Sequence, residues 1–465
     1  LSDERNPRKK AGNNNIGRRA SSKYSKTPRN SENRNNGYYY KSISHNEPVQ
    51  NRAQSKHYES SYIKKSQSRI QEPVRTQVPR RETASKNQGV KYTAKNFLRV
   101  GGIKIRRGAL DYQFLLTTII LVAFGMIMLY SASSSRAYAA TGDSMYFMKS
   151  QFGGLLVGIV AMIGCMMVDY HVIARLSPVL YAICIILLIL VLIPGVGTTS
   201  NGATRWLFGF QPSEIVKFAT LLVVAVYLEK YQDKLGNFFR GFLPCLLILG
   251  VVGALLMMEP HFSATILITL TTLLMMYVGG AKIRHFIILA IPAFIGGVAM
   301  IFAEPYRLQR LLSFGDPFAD KQGAGWQIVQ SLYAIGSGGV FGVGFGQSRQ
   351  KYMSLPEPHN DFIFSVLSEE LGWVGAIVVI VLFLFLIYRG IRIAQKAPDT
   401  LGKLIVIGCI GLIGFQAMIN IGVVTASLPV TGMPLPFFSY GGTALAITMG
   451  EIGLVLNVSR QEKVL

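Results

Sequence analysis

Between residues 304 and 360 the chain gathers side chains that could do chemistry. Arg307 and Arg310 stand three apart, so on a helix they share a face and either grip a phosphate or pyrophosphate together or meet lipid headgroups. The run Asp316-Pro317-Phe318-Ala319-Asp320-Lys321-Gln322-Gly323-Ala324-Gly325-Trp326-Gln327 follows, with two carboxylates, one beside a lysine, and an aromatic. An aspartate before proline is a common turn starter, so by itself Asp316 reads more readily as structural than as catalytic. Next, Gly336-Ser337-Gly338-Gly339 continues through Gly342, Gly344 and Gly346, and such a run lets backbone lie close to a ligand or a helix. Its spacing matches neither a P-loop nor the dinucleotide fingerprint, which argues against nucleotide binding. Elsewhere, Glu214 and Lys217 stand at i and i+3 within an apolar segment, where they neutralise each other or mark a functional site. Glu369 and Glu370 lack a local partner and either serve an active cavity or pair with a cation on another segment. No Ser-His-Asp order and no His-x-x-x-His pair is readable.

Composition shows what must hold these groups. The chain has 465 residues and a formal net charge of +23, is 50% hydrophobic and has a mean hydropathy of +0.35. A strongly basic soluble protein is not also this apolar, so the two properties belong to different stretches. Residues 1–107 hold 26 Lys and Arg against 7 Asp and Glu, a surplus of 19 out of the net +23. That division excludes a uniformly basic nucleic-acid-binding globule, and no nucleic acid is expected as a partner. Rich in Asn, Ser, Arg, Lys and Gln, residues 1–107 cannot bury enough apolar surface to offset their ordering entropy, and they read as a disordered basic cytoplasmic arm. The first continuous apolar run begins only at Phe114, so no secretory signal peptide is expected. Cys165, Cys184, Cys245 and Cys409 each sit in an apolar run without Cys-x-x-Cys spacing and read as small buried hydrophobes.

From Phe114 onward the pattern is that of an all-α polytopic membrane protein. Ten segments are expected to span: 113–133, 151–168, 176–194, 213–230, 241–259, 262–279, 285–303, 361–388, 403–424 and 438–457. At about 1.5 Å per residue each can cross roughly 30 Å of hydrocarbon. Residues 108–460 form the membrane domain and 461–465 a short cytoplasmic tail. With the arm cytoplasmic, the connections 169–175, 231–240, 280–284 and 389–402 fall on the same side, and each carries Lys or Arg. The outer face then receives 195–212, the turn Glu259-Pro260-His261, the loop 304–360 and the segment 425–437. A loop of 57 residues in an otherwise economical membrane protein is uncommon without a purpose, so the active surface is expected outside.

Several runs together resemble one family. They are Asn201-Gly202-Ala203-Thr204-Arg205-Trp206, Gln211-Pro212-Ser213-Glu214-Ile215-Val216-Lys217, Glu259-Pro260, and the stretch from Tyr306-Arg307 through Gly325-Trp326-Gln327 and Gly336-Ser337-Gly338-Gly339. Further on come Leu355-Pro356-Glu357-Pro358-His359-Asn360-Asp361-Phe362-Ile363-Phe364, Glu369-Glu370-Leu371-Gly372, and Leu428-Pro429-Val430-Thr431-Gly432-Met433-Pro434-Leu435-Pro436-Phe437-Phe438-Ser439-Tyr440-Gly441-Gly442. In this order they are similar to the SEDS family of bacterial shape, elongation, division and sporulation proteins, over roughly residues 110–460.

The resemblance implies a ten-span glycosyltransferase that polymerises lipid II into peptidoglycan strands at the outer face of the cytoplasmic membrane. A class B penicillin-binding protein is the implied partner, with other divisome proteins, and the basic arm faces anionic headgroups. The family's catalytic aspartate falls on Asp320, with Asp316 on a variable position. Arg205, Lys217, Arg307, Arg310, Glu214 and Gln327 become candidates for holding substrate and pyrophosphate. Glu259, Glu357, Asp361, Glu369, Glu370 and Ser439 become candidates for a supporting cavity. As general base, Asp320 would remove the proton of the sugar 4-hydroxyl that displaces undecaprenyl pyrophosphate with inversion. The leaving group needs its charge stabilised by arginine, lysine or a divalent cation such as Mg or Mn, and no organic cofactor is expected. Two departures stand out. His261 replaces a usual aspartate after Glu259-Pro260, and Lys321 and Trp326 stand where Pro and Tyr are common. A long polar arm is more typical of division-type, FtsW-like members than of RodA-like ones, so a septal role is expected, with elongation and sporulation as alternatives. A lipid II flippase is the rival class, because the embedded Glu214, Lys217, Glu369 and Glu370 also suit a transporter. A non-catalytic scaffold is the third.

Overall fold

The computed structural model describes residues 97–100, 103–200, 203–207, 209–302, 325–353 and 355–463, together with 308, 314–319 and 323. Most of the expected arm, residues 1–96, lies outside the described residues, as do Arg307, Arg310 and Asp320.

The described chain is mostly helical. In order it forms α1 (Tyr112–Thr141), α2 (Tyr146–Met167), α3 (Tyr170–Leu192), α4 (Pro212–Lys230), α5 (Leu243–Met258), α6 (Phe262–Val278) and α7 (Ile283–Phe302). Then come α8 (Trp326–Ser337), the single turn α9 (Gln350–Met353), α10 (Ile363–Lys396), α11 (Thr400–Val424) and α12 (Gly442–Ser459). Among the described residues, seven helices are long and apolar enough to cross a membrane: α1, α2, α3, α5 with the π turn before it (Phe238–Met258), α10, α11 and α12. Helix α6 and the part Ile283–Ala299 of α7 are shorter apolar helices, and α4 carries Glu214, Lys217, Glu229 and Lys230 in 19 residues.

Local chemistry sets the ends. Asp111 caps α1, its carboxylate accepting the Phe114 N–H at 2.9 Å, and Gly142 closes the helix in the left-handed conformation at φ 77°. The apolar pattern of α1 ends at 133, but the helix continues to Thr141 because Ser131, Ser133 and Ala137 are buried against neighbouring elements.

Two small sheets depart from the all-α expectation. Strands β1 (Phe97–Val100) and β2 (Ile103–Arg107) pair antiparallel, and β2 pairs in turn with β5 (Gln461–Lys463). The expected arm to 107 and the tail from 461 meet at these residues, where the last part of the arm pairs with the tail. A Gly101-Gly102 pair flanked by Ile/Lys alternation is a hairpin signal that the polar composition of the arm concealed. The second sheet, β3 (Thr198–Ser200) with β4 (Ala203–Trp206), brackets Asn201-Gly202, the same kind of signal.

Glycine controls the closest approaches. A Cβ on Gly154 of α2 would lie 2.4 Å from the Gly442 Cα, and one on Gly453 of α12 would lie 2.2 Å from the Met162 oxygen. Only hydrogen at these positions lets α2 and α12 meet backbone to backbone. Asn457 of α12 then reaches the end of α2, donating to the carbonyls of Cys165 and Met166 at 3.0 Å each and to that of Val168. The main core runs through α1, α4, α10, α11 and α12, and a smaller one joins α3, α4, α5 and α6. All four cysteines are free thiols, three of them buried, as their apolar settings imply.

Candidate active site

Arg205 ends the β3–β4 hairpin and reaches across to the turn between α5 and α6. Its Nε donates to the Glu259 carbonyl at 3.4 Å, and a terminal guanidinium nitrogen donates to the Pro260 carbonyl. The hairpin is thereby latched to Glu259-Pro260-His261. Glu259 is 2% exposed and its Oε1 has no partner among the described residues. Burial pushes its carboxyl up to about 7, against the pull of Arg205. His261 is driven the other way, down to about 3, first by burial and then by the charges of Arg205 and Lys217, so its ring is neutral at physiological pH. With Nδ1 sealed and unpartnered, the imidazole brings no charge where a carboxylate would bring a negative one.

Glu214 and Lys217 lie in the first turns of α4 and form a buried ion pair at 2.8 Å. Pro212 at the helix start leaves no donor to satisfy there, and an acid in the first turn suits the positive end of the helix dipole. Lys217 also donates to the Gln416 Oε1 of α11 at 3.4 Å, and the Gln416 amide in turn donates to the Pro434 carbonyl at 3.0 Å. Asn420, one turn further along α11, donates to the carbonyls of Asp361 and Met433 at 2.7 Å each. Ser263 of α6 donates to the Thr431 carbonyl. The irregular segment 425–441 is thus held by side chains of two helices, as backbone carbonyls away from water require.

The candidates therefore separate into groups. Arg205, Glu214, Lys217 and Glu259 share one end of the helix bundle, and Gln416 and Asn420 join them there; Glu451 lies half-way along α12, and the sequence reading passed over all three. Glu451, on α12, is 1% exposed, and its Oε2 has no partner among the described residues. The signal that could have found all three is a lone polar residue inside an apolar run.

Glu369 and Glu370 form a different structure. Glu370 pairs with Lys351 at 2.7 Å and accepts the Ser131 hydroxyl of α1 at 2.7 Å, while the Lys351 ammonium also donates to the Gly346 carbonyl at 2.8 Å. Glu369 accepts the Ser348 hydroxyl at 2.5 Å and the Arg349 N–H at 2.9 Å. The glycine run packs beside them on a kink in α10 at Gly372, whose φ of 66° and ψ of −166° suit glycine alone. There the N–H groups of Val343 and Gly344 donate to the carbonyls of Glu369 and Glu370, and those of Trp373 and Val374 to Gly339 and Val340. Of the two readings open for this run, close approach to a helix is the one the structure contains.

Glu357 and Ser439 belong to a staple between the segments 355–361 and 435–441, while the Asp361 carbonyl accepts the Asn420 amide of α11. Ser439 donates to the Asn360 carbonyl at 2.6 Å and accepts the Leu435 N–H at 2.8 Å, and Asn360 donates to Glu357 at 2.6 Å. Gln327 stands half-buried in the first turn of α8. Asp316 makes an Asx turn, accepting the Phe318 N–H at 3.0 Å, in line with its context before proline. No three His, Cys, Asp or Glu side chains among the described residues converge to hold a metal ion. A cavity of about 280 Å³ lies at the opposite end of the bundle, lined in part by Asp111, Arg389 and Lys396, where Arg389 is already paired with Asp111 at 2.6 Å.

Comparison with known proteins complements this geometry. A family model described as cell cycle protein, covering FtsW, RodA and SpoVE, matches residues 112–464. The chain is 44% identical to stage V sporulation protein E of Bacillus subtilis strain 168, over 76% of this chain and 98% of that protein. It is 41% identical to the probable peptidoglycan glycosyltransferase FtsW of Geobacter sp. strain M18, over 75% of this chain and 96% of that one. Among solved structures, a chain from work on structural coordination of polymerization and crosslinking by a peptidoglycan synthase complex matches with a TM-score of 0.64 at 29% identity, covering 76% and 98% of the two chains. The crystal structure of rod shape determining protein RodA from Thermus thermophilus matches with a TM-score of 0.55 at 28% identity, covering 76% and 97%.

Proposed function

Because the chain belongs to the FtsW/RodA/SpoVE family of cell cycle proteins, we propose that it is a peptidoglycan glycosyltransferase that polymerises lipid II at the outer face of the cytoplasmic membrane. The observation that carries the reading is the buried Glu214–Lys217 pair, set beside Arg205 latched to the Glu259 turn. A cation that is fixed, desolvated and held by a neutral relay through Gln416 suits an anionic pyrophosphate group, whose charge grows as it leaves. Asp320 is the proposed general base, taking the proton of the attacking sugar hydroxyl, with Arg307 and Arg310 as further pyrophosphate ligands. A divalent cation, Mg or Mn, would be held mainly by pyrophosphate oxygens with one or two carboxylates, the coordination such hard ions favour.

In this reading α1 to α7 and α10 to α12 make ten spans, and both termini are cytoplasmic, since Lys234, Arg240, Lys282 and Arg284 lie in or beside the connections assigned to that side and Arg175 and Arg389 lie in the helix turns nearest it. Lipid II is the substrate, a class B penicillin-binding protein the partner, and the basic arm meets anionic headgroups and divisome proteins. Division at the septum is the proposed role. Sporulation is the second reading, favoured by the 44% identity to stage V sporulation protein E. Depletion separates them: filamentation marks division, and failed spore cortex marks sporulation.

The test of activity is purified protein in vesicles loaded with lipid II. Glycan polymer supports the glycosyltransferase; lipid II translocated without polymer supports the flippase; neither supports a scaffold.

A further inference from the structure

The cavity at the end of the bundle away from Arg205 and Glu259 has no part in the reaction outlined above. It holds about 280 Å³ and lies where Ala109-Leu110, the first turn of α1, the last two turns of α10 and the end of α12 meet. Small-ligand sites commonly hold roughly 300–1,000 Å³, so this one suits a compact group. Among the described residues, its charged lining is Asp111, Arg389 and Lys396. Asp111 and Arg389 cancel each other, and their 2.6 Å contact fixes the guanidinium, whose Nε has no acceptor among the described residues. Lys396 then gives the cavity a surplus positive charge. Arg392, exposed and three residues after Arg389, extends the cationic face of the same helix end. An apolar track leaves the cavity along α1. Tyr112 lines the cavity, and Leu116, Ile119 and Ile120 follow on its face at i+4, i+7 and i+8, each between 41% and 58% exposed. A water-soluble anion has no use for such a track, whereas a lipid uses both the cations and the track.

We propose that this cavity binds the phosphodiester headgroup of an anionic phospholipid, with an acyl chain lying along the α1 track. Lys396 supplies the countercharge, and the fixed Arg389 fork donates to phosphate oxygens. Such a site differs from the diffuse attraction of the basic arm to a membrane surface, because it depends on particular side chains of the folded domain. That the lipid belongs to the inner leaflet rests on the proposed orientation of the chain; the site itself rests neither on that orientation nor on the glycosyltransferase reading.

The experiment follows the thermal midpoint of the purified full chain in neutral detergent as phosphatidylglycerol is added, with phosphatidylcholine and inorganic phosphate in parallel. Wild type is expected to show a saturable rise with phosphatidylglycerol, as a ligand of the folded state produces, and none with phosphatidylcholine. K396A should need about fivefold more phosphatidylglycerol for half-saturation, the usual worth of one cation at an anionic surface. K234A removes a lysine from a different connection on the same side and should leave the curve unchanged. D111N/R389Q keeps the total charge and a residue able to cap α1 but removes the guanidinium, so it too should weaken the response about fivefold or more. The basic arm is present in every variant, so its own pull on anionic lipid cancels. Equal weakening by K396A and K234A, or an unchanged curve for D111N/R389Q, overturns the site in favour of diffuse surface charge. No rise in wild type, or an equal rise with phosphatidylcholine, overturns the headgroup. A saturable rise with inorganic phosphate that K396A weakens keeps the anion site and overturns the lipid. Should D111N/R389Q not fold, the comparison of K396A with K234A decides alone.

Discussion

Removing Glu370 should unfasten the glycine-rich segment and cost much of the protein's stability. Lys351 and Glu370 are 2% and 0% exposed in their side chains, and their 2.7 Å contact is reinforced by Ser131 and by the Gly346 carbonyl. In E370A the ammonium keeps a hydroxyl and one carbonyl and loses its paired carboxylate. Breaking a buried pair in this way costs about 3–5 kcal/mol, a large share of the 5–15 kcal/mol typical of a folded domain. The double variant K351M/E370M removes both charges and refills the space, and such replacements are often neutral, so it should return to within about 1 kcal/mol of wild type. Reversible unfolding in detergent, followed by tryptophan fluorescence, gives both numbers. Trp373 is a local probe, since its N–H bonds the Gly339 carbonyl where the segment docks. A single-variant cost under about 1 kcal/mol, or a double variant as unstable as the single, would refute the clamp.

Other expectations follow from the same contacts. G342A places a Cβ 2.1 Å from the Glu370 carbonyl at φ 84°, so it should lose about 2–5 kcal/mol, whereas G339A, at φ 54° with open space, should lose only about 1–2 kcal/mol; thermal melts compare the two. N457A leaves three carbonyls at the end of α2 without their donor and should cost about 1–3 kcal/mol, read from the same melts. Asp399 is pushed up by burial but held net below the usual carboxylate value by His171, the Gly402 N–H and Tyr170, so its stabilisation is present above about pH 4 and lost as pH falls further; D399N should flatten that acid limb. Glu259 has the opposite sign: its stabilisation is complete below the ordinary carboxylate range and is lost as pH rises through about 7, and E259Q should remove that loss.

Helix positions were legible because an apolar run long enough to cross a bilayer has few other uses, and α2, α3 and α11 fall close to where their runs lie. The far end of α1 was not legible: Ser131 to Ser135 reads as a helix end until Glu370 and the core are present to bury its hydroxyls. The two hairpins had local signals in Gly101-Gly102 and Asn201-Gly202, but the strand partner of β2 is some 350 residues away and no local pattern reveals it. At the site, Glu214 and Lys217 were readable as a pair from their spacing alone. Glu369 and Glu370 were not, since Lys351 meets Glu370 only when the glycine run folds onto the kink at Gly372. Gln416, Asn420 and Glu451 were passed over because each is a single polar residue in a long apolar helix, where average hydropathy conceals it. Asp320 came from family resemblance, and nothing in the local spacing distinguished it from Asp316.

As proposed, this chain joins lipid-linked sugars and Asp320 takes the proton of the attacking hydroxyl. Purified wild type and D320A, matched for folding by thermal midpoint, are incubated with lipid II and the products separated by size. A ladder of glycan from wild type and none from D320A is the predicted result. Equal ladders from both proteins would contradict the assignment of the base, and no ladder from wild type would contradict the proposed function itself.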